Sequence, residues 1–440
     1  MKNTACLSHF IKYVSLNVLG MIGLSCYILA DTYFVSKGLG ANGLTALNLA
    51  IPIYSFIHGS GLMLGMGGAT RYSIAKSQSE RDKMNQIFTN TILLALSFAG
   101  GFFVIGFFFS EILVRLLGAD VAVFQMSKTY LQVVLLFAPI FIINNVLLCF
   151  VRNDGAPELS MIAMLGGSFS NIILDYIFMF PLKMGIFGAV LATGLAPAIS
   201  LLILCPFFLQ KRNGFHLINF RLFRQLSSDI FSSGMPSLIT EVSSGIVIIV
   251  FNTILLKLQG NMGVAAYGII ANLSLVMVSI YTGIAQGIQP LISSNYGIGN
   301  HSNVQTILRY ALLLVVAVSG MIYMVVFIGG SQIISLFNSE QNEALQSIAM
   351  IGLKIYFTSC LFVGFNIIIS VYFTSIEYAR PAHIISVLRG FLIIIPLAFL
   401  LASFGGILGV WCVFPTTELL VAGIGGVLYL LIPKEITNSM

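Results

Sequence analysis

Long apolar stretches separated by short polar breaks run through the whole chain. Their spacing predicts twelve helices at 11–36, 44–70, 87–110, 126–150, 159–180, 186–209, 229–256, 264–291, 306–330, 347–373, 384–402 and 407–432. Each reaches the roughly 20 apolar residues that cross a bilayer. The one long polar break, 210–228, carries Lys211, Arg212, Arg221 and Arg224 and falls at the middle of the 440 residues. The pattern therefore reads as an N-lobe over 1–209, a linker over 210–228 and a C-lobe over 229–440. The expected fold is an all-α integral membrane protein, with twelve transmembrane helices in two six-helix lobes related by pseudo-twofold symmetry.

Composition agrees with a bilayer as solvent. Hydrophobic residues make up 58% and charged residues only 8%, against the roughly 25% charged residues of a soluble domain. Soluble enzymes, nucleic-acid binders and disulfide-built secreted domains are excluded. The net charge of +6 reflects orientation: with the N-terminus inside, thirteen Lys and Arg fall on inner segments and five on outer ones. The positive-inside rule then places both termini and the midpoint linker in the cytoplasm of a plasma-membrane protein. The six cysteines are scattered singly, without a CxxC pair, so no zinc site or disulfide framework is expected. The first apolar stretch lacks a small-residue cleavage pattern and reads as a retained span.

The halves repeat. A shift of 220 carries Lys37, Gly40, Gly43, Ala46, Gly67, Ser73 and Ile87 onto Lys257, Gly260, Gly263, Ala266, Gly287, Ser293 and Ile307 without a gap. Later in the halves, Gly185, Ile186 and Gly188 meet Gly406, Ile407 and Gly409, at an offset of 221. Six spans separate equivalent points, so the repeats share one orientation, as in transporters whose halves are related about the membrane normal.

An ionisable group at the centre of a membrane helix costs about 2.5–3.5 kcal/mol on insertion scales and asks for a reason. Four acids lie deep: Asp31 in span 1, Asp175 in span 5, Glu241 in span 7 and Glu418 in span 12. Tyr27 sits one turn before Asp31 and Asn171 one turn before Asp175, while span 6 adds Thr193. If spans 1, 5 and 6 adjoin, these groups make an oxygen-rich pocket suited to a small hard cation or a shared proton. The competing reading has Asn171, Thr193 and Tyr27 only bonding between helices. Glu241, near Ser237, Thr240, Ser243 and Ser244, reads as a substrate site or second proton site. Glu418, beside Thr416 and Thr417, reads as the same or as a satisfied interhelical acid.

These residues resemble a known family. Ala30-Asp31-Thr32-Tyr33-Phe34-Val35, Gly38-Leu39-Gly40, Arg152 with Gly155-Ala156-Pro157, Asn171 to Asp175, and Gly185 to Thr193 are similar to the signatures of multidrug and toxic compound extrusion (MATE) transporters. The likeness is to the bacterial subgroup with an acidic N-lobe. It implies that Asp31, Asn171, Asp175 and Thr193, with Tyr27, form the cation site, Na⁺ being held by the first four. Two departures stand out. Span 1 reads Ser15-Leu16-Asn17-Val18 where relatives often carry proline, and span 10 has no core aspartate.

The expected function is a multidrug antiporter, not an enzyme. It would export amphipathic, often cationic small molecules by alternating access, coupled to H⁺ or Na⁺ and needing no other cofactor. Nothing requires more than a monomer, and no nucleic-acid partner is expected. The alternative is a flippase for a lipid-linked oligosaccharide or cell-wall precursor, which should offer cations to a pyrophosphate, whereas the deep charges here are acidic. An intramembrane prenyltransferase is set aside, since Asn171-x-x-x-Asp175 has no second acidic cluster.

Overall fold

The computed structural model describes residues 2–218, 222–338 and 342–431, which are overwhelmingly helical, with no strand among them. Arg221 and Lys434, both counted above as inner charges, lie outside the described residues. Among the described residues, nine apolar stretches are long enough to span a bilayer, counting as one a pair of helices bent by 47°. Three of the nine are each two helices meeting at a glycine, which gives the expected twelve. In chain order they are α1 (2–39), α2 (41–77), α3 (Arg81–Leu116), α4 (Phe124–Leu136 and Ala138–Asn153), α5 (Pro157–Met179) and α6 (Gly185–Leu209). The second half holds α7 (224–259), α8 (261–297), α9 (His301–Phe337), α10 (Glu343–Ser375), α11 (379–405) and α12 (407–430).

The connections expected over 37–43 and 257–263 are single-residue elbows. Gly40 has φ 64°, ψ −154° and Gly260 has φ 60°, ψ −151°. That corner of backbone space is essentially closed to residues with a side chain. A Cβ at either position would meet nothing within 4 Å, so the backbone alone demands glycine. The shift of 220 maps one onto the other, and the two conformations agree within a few degrees. Gly185 (φ 59°) and Gly406 (φ 55°), matched at an offset of 221, also share a positive φ.

The chain packs as two compact units. One is Ser15–Val242; the other combines the chain up to Val14 with the chain from Ser243 onward. The divisions fall inside α1 and α7, so each of these helices serves both units. Glycines explain the packing. Within the Ser15–Val242 unit the first half of α7 lies against α2: a Cβ on Gly234 would come 1.8 Å from the Met63 carbonyl oxygen, and one on Gly67 2.1 Å from that of Ile230. In the other unit Gly287 of α8 meets α1, a Cβ there falling 2.7 Å from the Cα of Val14. Positions 14 and 67 map onto 234 and 287, so both units close the same seam. Such close approach is how membrane helices gain packing energy where lipid offers no hydrophobic drive.

Apolar residues also face outward, as a bilayer requires. Phe107, Phe108 and Ile112 of α3 and Met324, Val325 and Ile328 of α9 are exposed, an arrangement that in water would form an aggregating patch. Arg152, expected at an inner loop, is instead buried at the end of α4, donating from Nη1 to Asn17 Oδ1 at 2.9 Å. The described part of the linker is docked. Gly214 N–H, Tyr72 Oη and Lys76 Nζ all donate to the Asp154 carboxylate at 2.6 Å, and the Phe215 ring is fully buried among Tyr72, Phe88, Phe150 and Phe208.

Candidate functional site

Helices α1, α5 and α6 of the Ser15–Val242 unit bring the predicted acidic residues together. Gly167 of α5 sits so near the Ala196 carbonyl of α6 that a Cβ would fall 3.0 Å from it, which draws these two helices close. The i, i+4 spacing then stacks Asn171 and Asp175 on one buried face of α5, and both are fully buried. In the orientation that satisfies both of its neighbours, the Asn171 amide donates to Asp175 Oδ2 at 3.0 Å and accepts from the Thr193 backbone N–H at 3.3 Å. The Thr193 hydroxyl turns back to the Ala189 carbonyl at 3.1 Å, as threonines in helices often do. Its backbone, not its hydroxyl, therefore joins the α5 pair.

Asp31 is buried on α1 and close enough to Asp175 for the two charges to feel each other. One oxygen of each, Asp31 Oδ1 and Asp175 Oδ1, is buried without a hydrogen-bond partner among the described residues. Native structures leave few such atoms, and an ionised one is costly in a dry interior. A proton or a small cation between them would remove the penalty. The donor set suits a hard ion: carboxylate oxygens with an amide beside them.

Tyr27 behaves differently from the expectation of a phenol beside the ion. Its hydroxyl pairs with Tyr54 Oη of α2 at 2.8 Å, though Asp31 remains within electrostatic reach. A phenol that reaches both acids is one that sequence reasoning missed, Tyr130. It is buried, within electrostatic reach of Asp31 and Asp175 and hydrogen-bonding reach of Thr193. The break in α4 helps to place it, because the Phe137 ring at the break fills the notch at Gly194, where a Cβ would lie 2.6 Å from the ring.

The other two deep acids are elsewhere. Glu241, on the first half of α7, packs in the Ser15–Val242 unit, where its Oε2 lies 3.6 Å from His58 Nδ1 of α2. The ring of His58 stacks on Tyr54 with centroids 5.8 Å apart and planes 6° from parallel. Glu418, in the other unit, is fully buried, and both its carboxylate oxygens are engaged. Arg389 Nε donates to Oε1 at 2.5 Å and Asn366 Nδ2 to Oε2 at 2.7 Å. Arg389 is carried on a π-helical turn, Leu388–Leu392. That is the geometry of the satisfied interhelical acid, with both oxygens taken by protein donors.

Comparison with known proteins agrees with the fold. The sequence matches the MatE family over residues 18–177 and 236–400. It is 28% identical to the multidrug export protein MepA of Staphylococcus saprophyticus over 388 residues, covering 87% of this chain and 84% of that one. The Staphylococcus aureus (strain MRSA252) protein of the same name is also 28% identical, over 389 residues with the same coverage. Among solved structures, a MOP superfamily transporter from Pyrococcus furiosus superposes with a TM-score of 0.90 at 22% identity, over 98% of this chain and 96% of that one. A MATE transporter in complex with MaL6 gives 0.87 at 23% identity, over 96% and 94%. The family match spans both halves of the repeat and the deep acids Asp31, Asp175 and Glu241, and the chain belongs to the MATE (MatE) family of multi-pass membrane transporters, not to any class of enzyme.

Proposed function

We propose that the chain is a cation-coupled multidrug antiporter that exports amphipathic, often cationic compounds in exchange for H⁺ or Na⁺. The observation that carries this reading is the pair of buried carboxylates on α1 and α5, each with one unpartnered oxygen, flanked by Asn171. The names of the staphylococcal relatives support the class of cargo. An ion entering between Asp31 and Asp175 is held by these oxygens with the Asn171 amide, with Thr193 and Tyr27 at the margin. Neutralising the pair changes how α1, α5 and α6 pack and lowers affinity for the exported cation. By linkage, that cation weakens ion binding by the same factor. Glu241, partly exposed, is the acid we assign to the exported compound or a second proton. Glu418 is assigned to structure.

The same reading takes the protein as a plasma-membrane monomer, with both termini cytoplasmic as the Lys and Arg distribution favours. The test uses purified protein in liposomes loaded with ethidium. A pH gradient and then a Na⁺ gradient are imposed, each alone, on wild type and on Asp31→Asn and Asp175→Asn. Dye movement under one gradient, lost in the variants, is expected and names the ion. Folded variants that still respond to the gradient sink the proposal, and no movement in wild type turns attention to a lipid-linked cargo.

A further inference from the structure

Beside the carboxylate pair lies a second group of polar side chains on α2 and α7. Glu241 keeps about a third of its side chain accessible, and His58 about an eighth. Nδ1 of His58 faces Glu241 Oε2 across 3.6 Å, beyond a hydrogen bond but well within the range of an ion pair. The pieces around them are built. A Cβ on Gly59 would touch the Glu241 Cβ at 3.0 Å, so glycine is what lets α7 bring the acid this near. The backbone of His58 is held by Asn145 Nδ2 on α4, which donates to its carbonyl at 3.3 Å. Tyr54 stacks on the imidazole, and Phe141 stands edge-on to Tyr54 with centroids 5.6 Å apart and planes 88° apart. A carboxylate beside aromatic faces is the chemistry that binds organic cations.

We propose that His58 and Glu241 form a proton-gated site for an organic cation, in which protonated His58 occupies Glu241 and a cationic substrate takes that carboxylate when His58 is neutral. Histidine is the side chain whose charge ordinarily changes between pH 5 and 8. One proton on Nδ1 supplies the positive charge that the substrate would otherwise bring, so proton and substrate exclude each other at one acid. The inference rests on the chain being a cation exporter, and it adds a place where exchange is enforced, separate from Asp31 and Asp175. The other titratable groups around the pair are Tyr54 on α2, Tyr27 and Asp31 on α1, Tyr130 on α4 and, beyond it, Asp175 on α5. Free phenols ionise only near pH 10, which leaves the two aspartates as the other acids near the site. They are common to wild type and to any His58 variant.

The experiment is equilibrium binding of tetraphenylphosphonium to the purified full-length protein from pH 5 to 8 without Na⁺. Wild type is compared with His58→Gln, with His58→Phe, which keeps a ring against Tyr54 but takes no proton, and with Glu241→Gln. Below the histidine range, wild type is expected to lose about tenfold more affinity per pH unit than either His58 variant, the slope of one competing proton. Glu241→Gln is expected to bind weakly throughout, and the comparison reads the pH slope of each His58 variant against wild type, whatever its affinity at any one pH. Profiles of wild type and a folded His58 variant that run parallel overturn the inference and leave the exporter reading standing, as does full binding by Glu241→Gln. Absence of binding by folded wild type at every pH overturns both.

Discussion

The Arg389–Glu418 pair permits a quantitative test of which deep acids are structural. Glu418 is fully buried, and the Arg389 side chain is only 14% exposed. Replacing Arg389 with Gln leaves the carboxylate with Asn366 as its one side-chain donor. Replacing Glu418 with Gln leaves a guanidinium nearly enclosed. Breaking a buried pair from one side costs about 3–5 kcal/mol, chiefly because an uncompensated charge stays behind, whereas removing both charges can be nearly neutral. Each single variant should therefore lose two to four decades, roughly, in its folded-to-unfolded ratio. The double variant Arg389→Gln/Glu418→Gln should lose far less than the two together. The protein carries its own reporter: Trp411, the sole tryptophan, is buried on α12 two turns before Glu418 and packs on Gly352 of α10. Denaturation in detergent followed by its fluorescence completes the double-mutant cycle. Additive losses, or a neutral Glu418→Gln, would refute the argument. So would a folded double variant whose efflux no longer depends on the ion gradient, because a structural pair should not touch coupling.

Other expectations follow from the same geometry. Gly40→Ala and Gly260→Ala should each cost about 1–3 kcal/mol from backbone strain alone. Gly268→Ala, where a Cβ meets nothing within 4 Å, should be neutral in the same thermal melt, and a neutral Gly40→Ala would contradict the elbow. Gly67→Ala forces α7 away from α2 and should cost about 1–3 kcal/mol by overpacking, with greater cysteine labelling of a Cys placed at Met63; unchanged labelling counts against the seam. Phe215→Ala empties the aromatic box and should cost about 3–5 kcal/mol. Trypsin should then cut at Lys211 and Arg212 faster than in wild type, and equal cutting rates would mean that the ring does not hold the linker.

Much of this was legible in the sequence, and the exceptions share a cause. Asn171 and Asp175 are four residues apart on one helix, so helical periodicity alone puts them on one face. Gly40 and Gly260 were marked by the gap-free repeat, although their residues read as loops, because the sequence shows polarity but not the backbone angles that make a loop one residue long. Arg389 lies 29 residues from Glu418 and a π-helical turn shifts its register, so no fixed spacing linked them. Tyr130 comes from α4, outside the three spans considered, so no spacing within spans 1, 5 and 6 pointed to it. For Tyr54 and His58 a signal did exist: two polar-tipped rings at i, i+4 within an apolar span. What could not be read was that α7 changes partners part-way along, which brings Glu241 to them.

That change of partners has a consequence for how the chain is made. The stretch up to Val14 packs against Gly287 and, through the Phe10 ring, against Tyr310 at 5.6 Å. A ribosome delivering the chain from its N-terminus releases those partners only after well over half of it has entered the membrane. The Ser15–Val242 unit, by contrast, has all of its own sequence once α7 is halfway out. The N-terminal half of α1 therefore waits, exposed to lipid or to insertion machinery, until α8 and α9 arrive to cover it.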